Sequence, residues 1–326
     1  MLTFVRAAVI GLAALIAVPA LAQGAFPVTI THVYGETVIP AQPKRVVVWG
    51  TNSQDAVFQL GVMPVGIPFF SYGGGDNGIL PWDEEAIAKL GGEPPVILPN
   101  GNDGIPIEKI AALRPDLILA HFSGITREEY DTLSQIAPVV AYPKEAWGTS
   151  WQDVIRIAGQ ALGKSAEAQQ IVADSEQLIK DEAARHPALA GKTFAAVSDY
   201  NGQVAVYAAL DARVKYVEDF GMVLAPGVNE QDPAKGQGFY YGLSYETFDT
   251  LNPDILITYF ENDQQQADFI TKPGVAESAV VTRGAVAPII GQEFVYSVSP
   301  PTGLSLKWGL SRYLDLLAKA AENAGG

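Results

Sequence analysis

Short, continuous apolar runs alternate along the chain with stretches of helical period. That is the pattern of strands buried on both faces of a parallel sheet and of the helices that cross between them. In the first half, Arg45 to Trp49, Pro64 to Ile67 and Pro138 to Tyr142 are predicted strands, and Ser53 to Leu60 a short helix stopped by Gly61. In the second half, Lys192 to Ser198, Val204 to Tyr207 and Phe294 to Val298 are predicted strands, and Leu304 to Ala321 an amphipathic closing helix.

One pattern occurs twice. Ile105-Pro-Ile-Glu108-Lys-Ile-Ala-Ala-Leu113-Arg-Pro115-Asp116-Leu-Ile-Leu-Ala120 aligns without gaps on Leu243-Ser-Tyr-Glu246-Thr-Phe-Asp-Thr-Leu251-Asn-Pro253-Asp254-Ile-Leu-Ile-Thr258. Each copy starts a short helix near its Glu, where the helix dipole favours a carboxylate. X-Pro then closes the helix, and Asp leads into an apolar strand. The duplication predicts two similar α/β lobes, one on each side of a helical midpoint. There, Ser150-Trp-Gln-Asp153 has capping-box grammar and opens a helix ending near Gly163. A second helix runs from Ser165 to about Arg185, a rod of roughly 30 Å. The expected fold is therefore α/β: two lobes of mainly parallel sheet flanked by helices and joined by one long rigid helix. Residues 23–149 form the N-terminal lobe, 150–189 the linking helical segment and 190–326 the C-terminal lobe.

The first 22 residues read as a cleavable secretory signal, with Arg6 as the positive region, Ala7 to Val18 as the apolar run and Ala20-Leu21-Ala22 as the cleavage site. The expected location is the periplasm. The chain has no cysteine, which excludes disulfides, thiolate metal sites, cysteine nucleophiles and a lipid-anchor cysteine within this sequence. With 21 Lys and Arg against 36 Asp and Glu, the formal net charge is -15. Such a field repels nucleic acid and anionic membrane.

Ligands of open α/β sheets lie beyond the carboxyl ends of the strands, so the candidate chemistry is sought in the loops there. No G-x-S-x-G elbow, H-E-x-x-H, phosphate-binding loop or G-x-G-x-x-G joining a strand directly to a helix is present. The glycine cluster Gly73 to Gly78 lacks the Lys and Ser/Thr that engage phosphate, and reads as a flexible lip. His32, His121 and His186 never fall at metal-ligand spacings, and only His121, directly after a predicted strand, is placed either to face the cleft and ligate a metal or to serve as a rim histidine. Aromatic recognition is better represented. Tyr72, Phe122, Trp147, Tyr200, Tyr207, Tyr240, Tyr241 and Tyr259 stand at or beside these loops, and Asn52 joins them as a polar candidate. Trp49 and Phe260, ending buried strands, are expected to be structural. Arg213 is the one cation positioned to pair with an anionic ligand group, unless it is a surface helix arginine.

The sequence resembles the helical-backbone periplasmic binding proteins of ABC importers, in the iron-siderophore branch that also includes cobalamin and haem binders. The resemblance is carried by Pro43-Lys-Arg-Val-Val-Val48, Leu60 to Gly66, Glu108 to Leu119, Glu246 to Ile257, and Ser299-Pro-Pro-Thr-Gly-Leu-Ser305 with Trp308. It implies a monomeric, non-enzymatic carrier that holds a ferric siderophore between its lobes, with iron carried inside the chelate and no cofactor of its own. It also implies that Glu108 and Glu246 dock onto arginines of an ABC permease in the inner membrane. Aromatics in excess of cations point to a hydroxamate or weakly charged ferric chelate. Haem, cobalamin, ferric citrate and a free metal ion remain alternatives, and an exported hydrolase is the rival of another class.

Overall fold

The computed structural model describes residues 26–100, 104–299 and 301–324. The secretory signal read over residues 1–22 lies outside the described residues. The first half contains β1 (Val28–His32), β2 (Gly35–Ile39), β3 (Val46–Val48), α1 (Ser53–Gln59), β4 (Gly66–Pro68), α2 (Pro81–Leu90), β5 (Val96–Leu98), α3 (Ile107–Ala112), β6 (Leu117–Ala120), α4 (Arg127–Leu133) and β7 (Val139–Ala141). The midpoint is α5 (Trp151–Ala161) and α6 (Ser165–Ala183). The second half continues with β8 (Thr193–Tyr200), β9 (Gln203–Tyr207), α7 (Ala212–Glu218), β10 (Val223–Leu224), α8 (Pro226–Gln231), β11 (Tyr240–Leu243), a 3-10 turn over Tyr245–Leu251, β12 (Ile255–Phe260), α9 (Asp263–Ile270), α10 (Ala279–Thr282), β13 (Val286–Ile290), α11 (Gln292–Ser297) and α12 (Ser305–Asn323).

Two sheets result. The first has the order β5-β4-β3-β6-β7 and its pairings are all parallel. In the second, β10, β8, β12 and β13 pair in parallel, while β9 and β11 add an antiparallel margin. The repeat occupies equivalent places in both. Val46 lies opposite Leu117 as Phe194 lies opposite Ile255. Arg114 (φ 48°) and Asn252 (φ 40°) both turn left-handed before the proline. Asp116 accepts the Lys44 and Arg45 amides at 2.8 Å, and Asp254 accepts the Thr193 amide at 2.8 Å. Each copy thus uses its carboxylate to pin the start of the neighbouring strand, satisfying amides that the ladder leaves unpaired.

Ser150 caps α5 by accepting the Asp153 amide at 3.1 Å, as its spacing predicts. The strut α6 buries Ala168, Val172, Ser175 and Ile179. A second, packed seam joins the halves. Phe70, Leu80 and Trp82 of the first half meet Tyr296 and Leu304 of the second, and the Thr302 hydroxyl donates to the buried Asp55 carboxylate of α1.

Three sequence expectations about local structure fail. Phe294 to Val298 lies mostly in a helix, α11, because a short apolar run carries no period that separates strand from helix. The strand from Lys192 does not end at Ser198; it continues to Tyr200 and reverses through Asn201 (φ 51°) and Gly202 (φ 76°) into β9. Two positive φ angles at Asn-Gly make a hairpin turn matched to strand twist. The glycine cluster is also no free lip. Phe70 and Ile79 amides bond the Gly78 and Gly74 carbonyls at 3.0 Å, and the Gly73 amide reaches the Gln292 side chain of α11 at 3.3 Å.

Candidate ligand-binding cleft

Two adjoining cavities of about 630 and 500 Å³ lie between the halves, sharing Ser198, Tyr207, Arg213 and Ser299 as a common wall. The larger is polar, with Asp199, Glu261, Asp268 and Lys272 alongside Tyr72, Tyr259 and Tyr296. The smaller is aromatic, lined by Phe122 and Trp147 from the first half and Tyr200, Phe239 and Tyr240 from the second. Trp147, Tyr200 and Tyr240 are 50, 60 and 58% exposed. Large apolar rings left open to solvent inside a concavity are surface prepared for a ligand.

Arg213 is held on three sides. Asp211 caps α7 by accepting the Arg213 amide at 2.8 Å and faces its Nη1 at 3.5 Å. Its Nε donates to the Ser299 hydroxyl. Its guanidinium carbon lies 4.0 Å from the centre of the Tyr207 ring, a cation–π contact. Burial opposes the Arg213 charge, but Tyr207 and Asp211 outweigh it and hold its pKa above the ordinary value. Burial, reinforced by Glu261, pushes the Tyr72 phenol up to about 12, and burial with Tyr313 holds Tyr259 well above its ordinary value. Near neutral pH both phenols keep their protons. The other cleft cation is paired as well, with Lys272 Nζ 3.4 Å from Asp199.

Of the residues singled out in the sequence, Tyr72, Phe122, Trp147, Tyr200, Tyr207, Arg213, Tyr240 and Tyr259 line these cavities. Three do not. Tyr241 neighbours Tyr240 on a strand, so its side chain points to the opposite face; it is buried and donates to the Val228 carbonyl at 2.8 Å. Asn52, left-handed at φ 57°, is buried beside a void of about 10 Å³ behind Phe122. His121 is fully buried, with Nε2 3.0 Å from the Val154 carbonyl of α5 and burial lowering its pKa to about 4. That makes it a neutral clasp between β6 and α5 rather than a cleft ligand. Among the described residues no three His, Asp or Glu side chains gather as a metal site. Trp49 and Phe260 are buried, as expected, although Phe260 also borders the polar cavity.

Sequence reasoning missed the floor of the polar cavity. Gln265, Asp268 and Lys272 line it from α9 and the turn that follows. Their spacing of three and four residues was the available signal. Tyr296 escapes sequence reasoning because a short apolar run carries no period that tells its helix from a strand. Glu108, in the first turn of α3, and Glu246, in the first turn of the 3-10 segment, are both exposed and lie outside the cavities. Lys144 and Lys235 are exposed and line neither cavity.

A family model described as "Periplasmic binding protein" matches residues 82–289. The probable siderophore-binding lipoprotein YfiY of Bacillus subtilis (strain 168) is 29% identical over 216 residues, covering 64% of this chain and 58% of the relative. The Fe(3+)-citrate-binding protein YfmC of the same organism is 32% identical over 155 residues, 47% of this chain and 45% of the relative. The chain thus spans about half the length of the curated relatives it matches. The crystal structure of PiaA from Streptococcus pneumoniae TIGR4 in complex with ferrichrome superposes with a TM-score of 0.81 at 33% identity, covering 91% of this chain and 99% of that one. Staphylococcus aureus SirA complexed with staphyloferrin B shares the fold, with a TM-score of 0.68 at 20% identity, over 90% of this chain and 97% of that one. With the family model spanning more than half of its residues, the chain belongs to the periplasmic binding protein family.

Proposed function

We propose that this protein is a carrier, not an enzyme, which takes a ferric siderophore into the cleft and delivers it to the permease of an ABC importer. The carrying observation is the Tyr207–Arg213 wall between an aromatic and a polar chamber. A guanidinium and neutral phenols supply donors to the oxygens around a chelated iron, and the exposed rings pack against its organic scaffold. The relatives named for siderophore and Fe(3+)-citrate, and the likeness to the ferrichrome complex, support this reading.

The charge of the cleft narrows the ligand. Arg213 and Lys272 face Asp211 and Asp199, while Glu261 and Asp268 stand in the same polar chamber. A multiply anionic catecholate or citrate chelate would meet more carboxylate than cation there, whereas a ferric trihydroxamate carries no net charge at its iron centre. The favoured ligand is therefore of hydroxamate type.

Glu108 and Glu246, exposed at equivalent positions of the repeat, are the proposed permease contacts. Exposed ion pairs worth about 0–1 kcal/mol each orient a transient docking without locking it. The protein is expected to act as a monomer outside the cytoplasm. No helix of the described residues is long and apolar enough to cross a membrane.

The test is recovery of ligand after binding. Purified protein incubated with ferrichrome and desalted should retain one chelate, released chemically intact on denaturation. A hydrolysed or reduced product would reject the carrier reading.

A further inference from the structure

We propose that Gly124 is a positioning residue that sets the depth of the aromatic chamber, by leaving the Trp147 indole room to lie back on the loop after β6. The inference rests on the ligand reading above and deepens it. It names what decides how large a chelate the chamber accepts.

Trp147 holds a left-handed backbone at φ 61°, which is rare for a bulky residue and marks a position that its surroundings over-determine. Its amide donates to the Ser123 carbonyl at 3.1 Å. That bond brings the indole down on Gly124, where a Cβ would lie 2.5 Å from Nε1, 2.8 Å from Cε2 and 3.0 Å from Cζ2. Gly124 itself does not occupy the left-handed region, so its backbone has no need of glycine. The three atoms nearest to that Cβ all belong to the indole.

Trp147 lines the aromatic chamber, and Phe122 packs against one side of its ring. Phe122 meets it edge-on at 6.3 Å between centroids. The following Gly148 donates its amide to the Glu145 carbonyl at 3.0 Å, and a Cβ there would stand 3.6 Å from the Phe239 ring across the cleft. An indole lifted off Gly124 is displaced into the 500 Å³ chamber that it lines. A chelate with a bulky peptide scaffold needs that space. A small chelate with the same iron chemistry does not.

The experiment is the Gly124→Ala variant, titrated with ferrichrome and with ferric tris-acetohydroxamate, alone and in a Trp147→Ala background. Overpacking should weaken ferrichrome about tenfold relative to the small chelate. In the Trp147→Ala background the same substitution should change that ratio less than about twofold. Equal weakening of both chelates, or the full effect without the indole, would overturn the proposal. If the unsubstituted protein binds neither chelate, the ligand reading fails on its own account, and the geometry is then read in ligand-free protein by acrylamide quenching. Gly124→Ala should raise the quenchable tryptophan fluorescence, and a Trp147→Phe background should abolish the rise. No rise would overturn the positioning role.

Discussion

The Arg213 guanidinium lies 4.0 Å from the centre of the Tyr207 ring, and both residues border the polar and the aromatic chamber. Stacking on Tyr207 and bonding to Asp211 and Ser299 leave the guanidinium little freedom to lose on binding. Arg213→Lys keeps the charge but loses the planar fork and the stack. It should weaken ferrichrome binding about tenfold by calorimetry, a loss of roughly 1.4 kcal/mol. Tyr207→Phe keeps the ring and should cost less. Equal affinity in Arg213→Lys would remove Arg213 from the ligand contacts.

Tyr240 and Tyr241 are neighbours with opposite assignments. Tyr240 faces the aromatic chamber, opposite Tyr207 in the strand register. Tyr241 faces the core and bonds Val228. Tyr240→Ala should weaken ligand binding with little change in melting temperature. Tyr241→Ala should do the reverse, costing about 3–5 kcal/mol of stability as a buried aromatic truncation. Melting curves and titrations on the two variants check this, and exchanged effects would reverse the register.

Asp55 and Asp83 are both fully buried, bridged by Gln54 Nε2 at 2.7 and 2.9 Å. Burial raises both pKa values, Asp55 to about 6, and for Asp83 the charge of Asp55 adds to it. Raised carboxyl values give a stability contribution that is complete below the ordinary Asp range near 4 and lost as pH rises through about 6. His121 acts on the other side. Its pKa is lowered by burial to about 4, so its contribution is complete above about 6.5 and lost as pH falls towards 4. Asp83→Asn, a neutral isostere at the bridged position, should therefore reduce the fall in melting temperature between pH 5 and pH 8. An unchanged fall would show that Asp83 does not hold its proton above the ordinary carboxylate range in the native state.

Glu108 and Glu246 are exposed and lie outside both cavities. The double variant Glu108→Ala, Glu246→Ala should bind ferrichrome with unchanged affinity yet support at least about tenfold slower uptake in a reconstituted or cellular transport assay, by loss of oriented encounter. Unimpaired uptake would reject the docking assignment.

Much of the frame was legible in the sequence because the duplicated Glu–Pro–Asp pattern encodes backbone chemistry. Arg114 and Asn252 make the same left-handed turn, and Asp116 and Asp254 pin the same neighbouring strand. What failed was direction. Position beside a strand-end loop marks both Tyr240 and Tyr241 as cleft residues, although strand alternation sends only one of them there. His121 ends a strand at the expected place, but its side chain turns under α5, which only the packing of a distant helix determines. The Asn201-Gly202 hairpin carried a usable signal. The seam of Trp82 with Tyr296 and of Asp55 with Thr302 joins residues more than 200 positions apart, and no local pattern announces it.

The most direct measurement is a tryptophan-fluorescence titration of the purified protein with ferrichrome and with ferric enterobactin, a triply anionic catecholate chelate. The cleft described above should give saturable quenching through Trp147, with ferrichrome bound at least about a hundredfold more tightly, a difference of roughly 2.8 kcal/mol. Tighter binding of the catecholate, or no saturable response to either chelate, would contradict it.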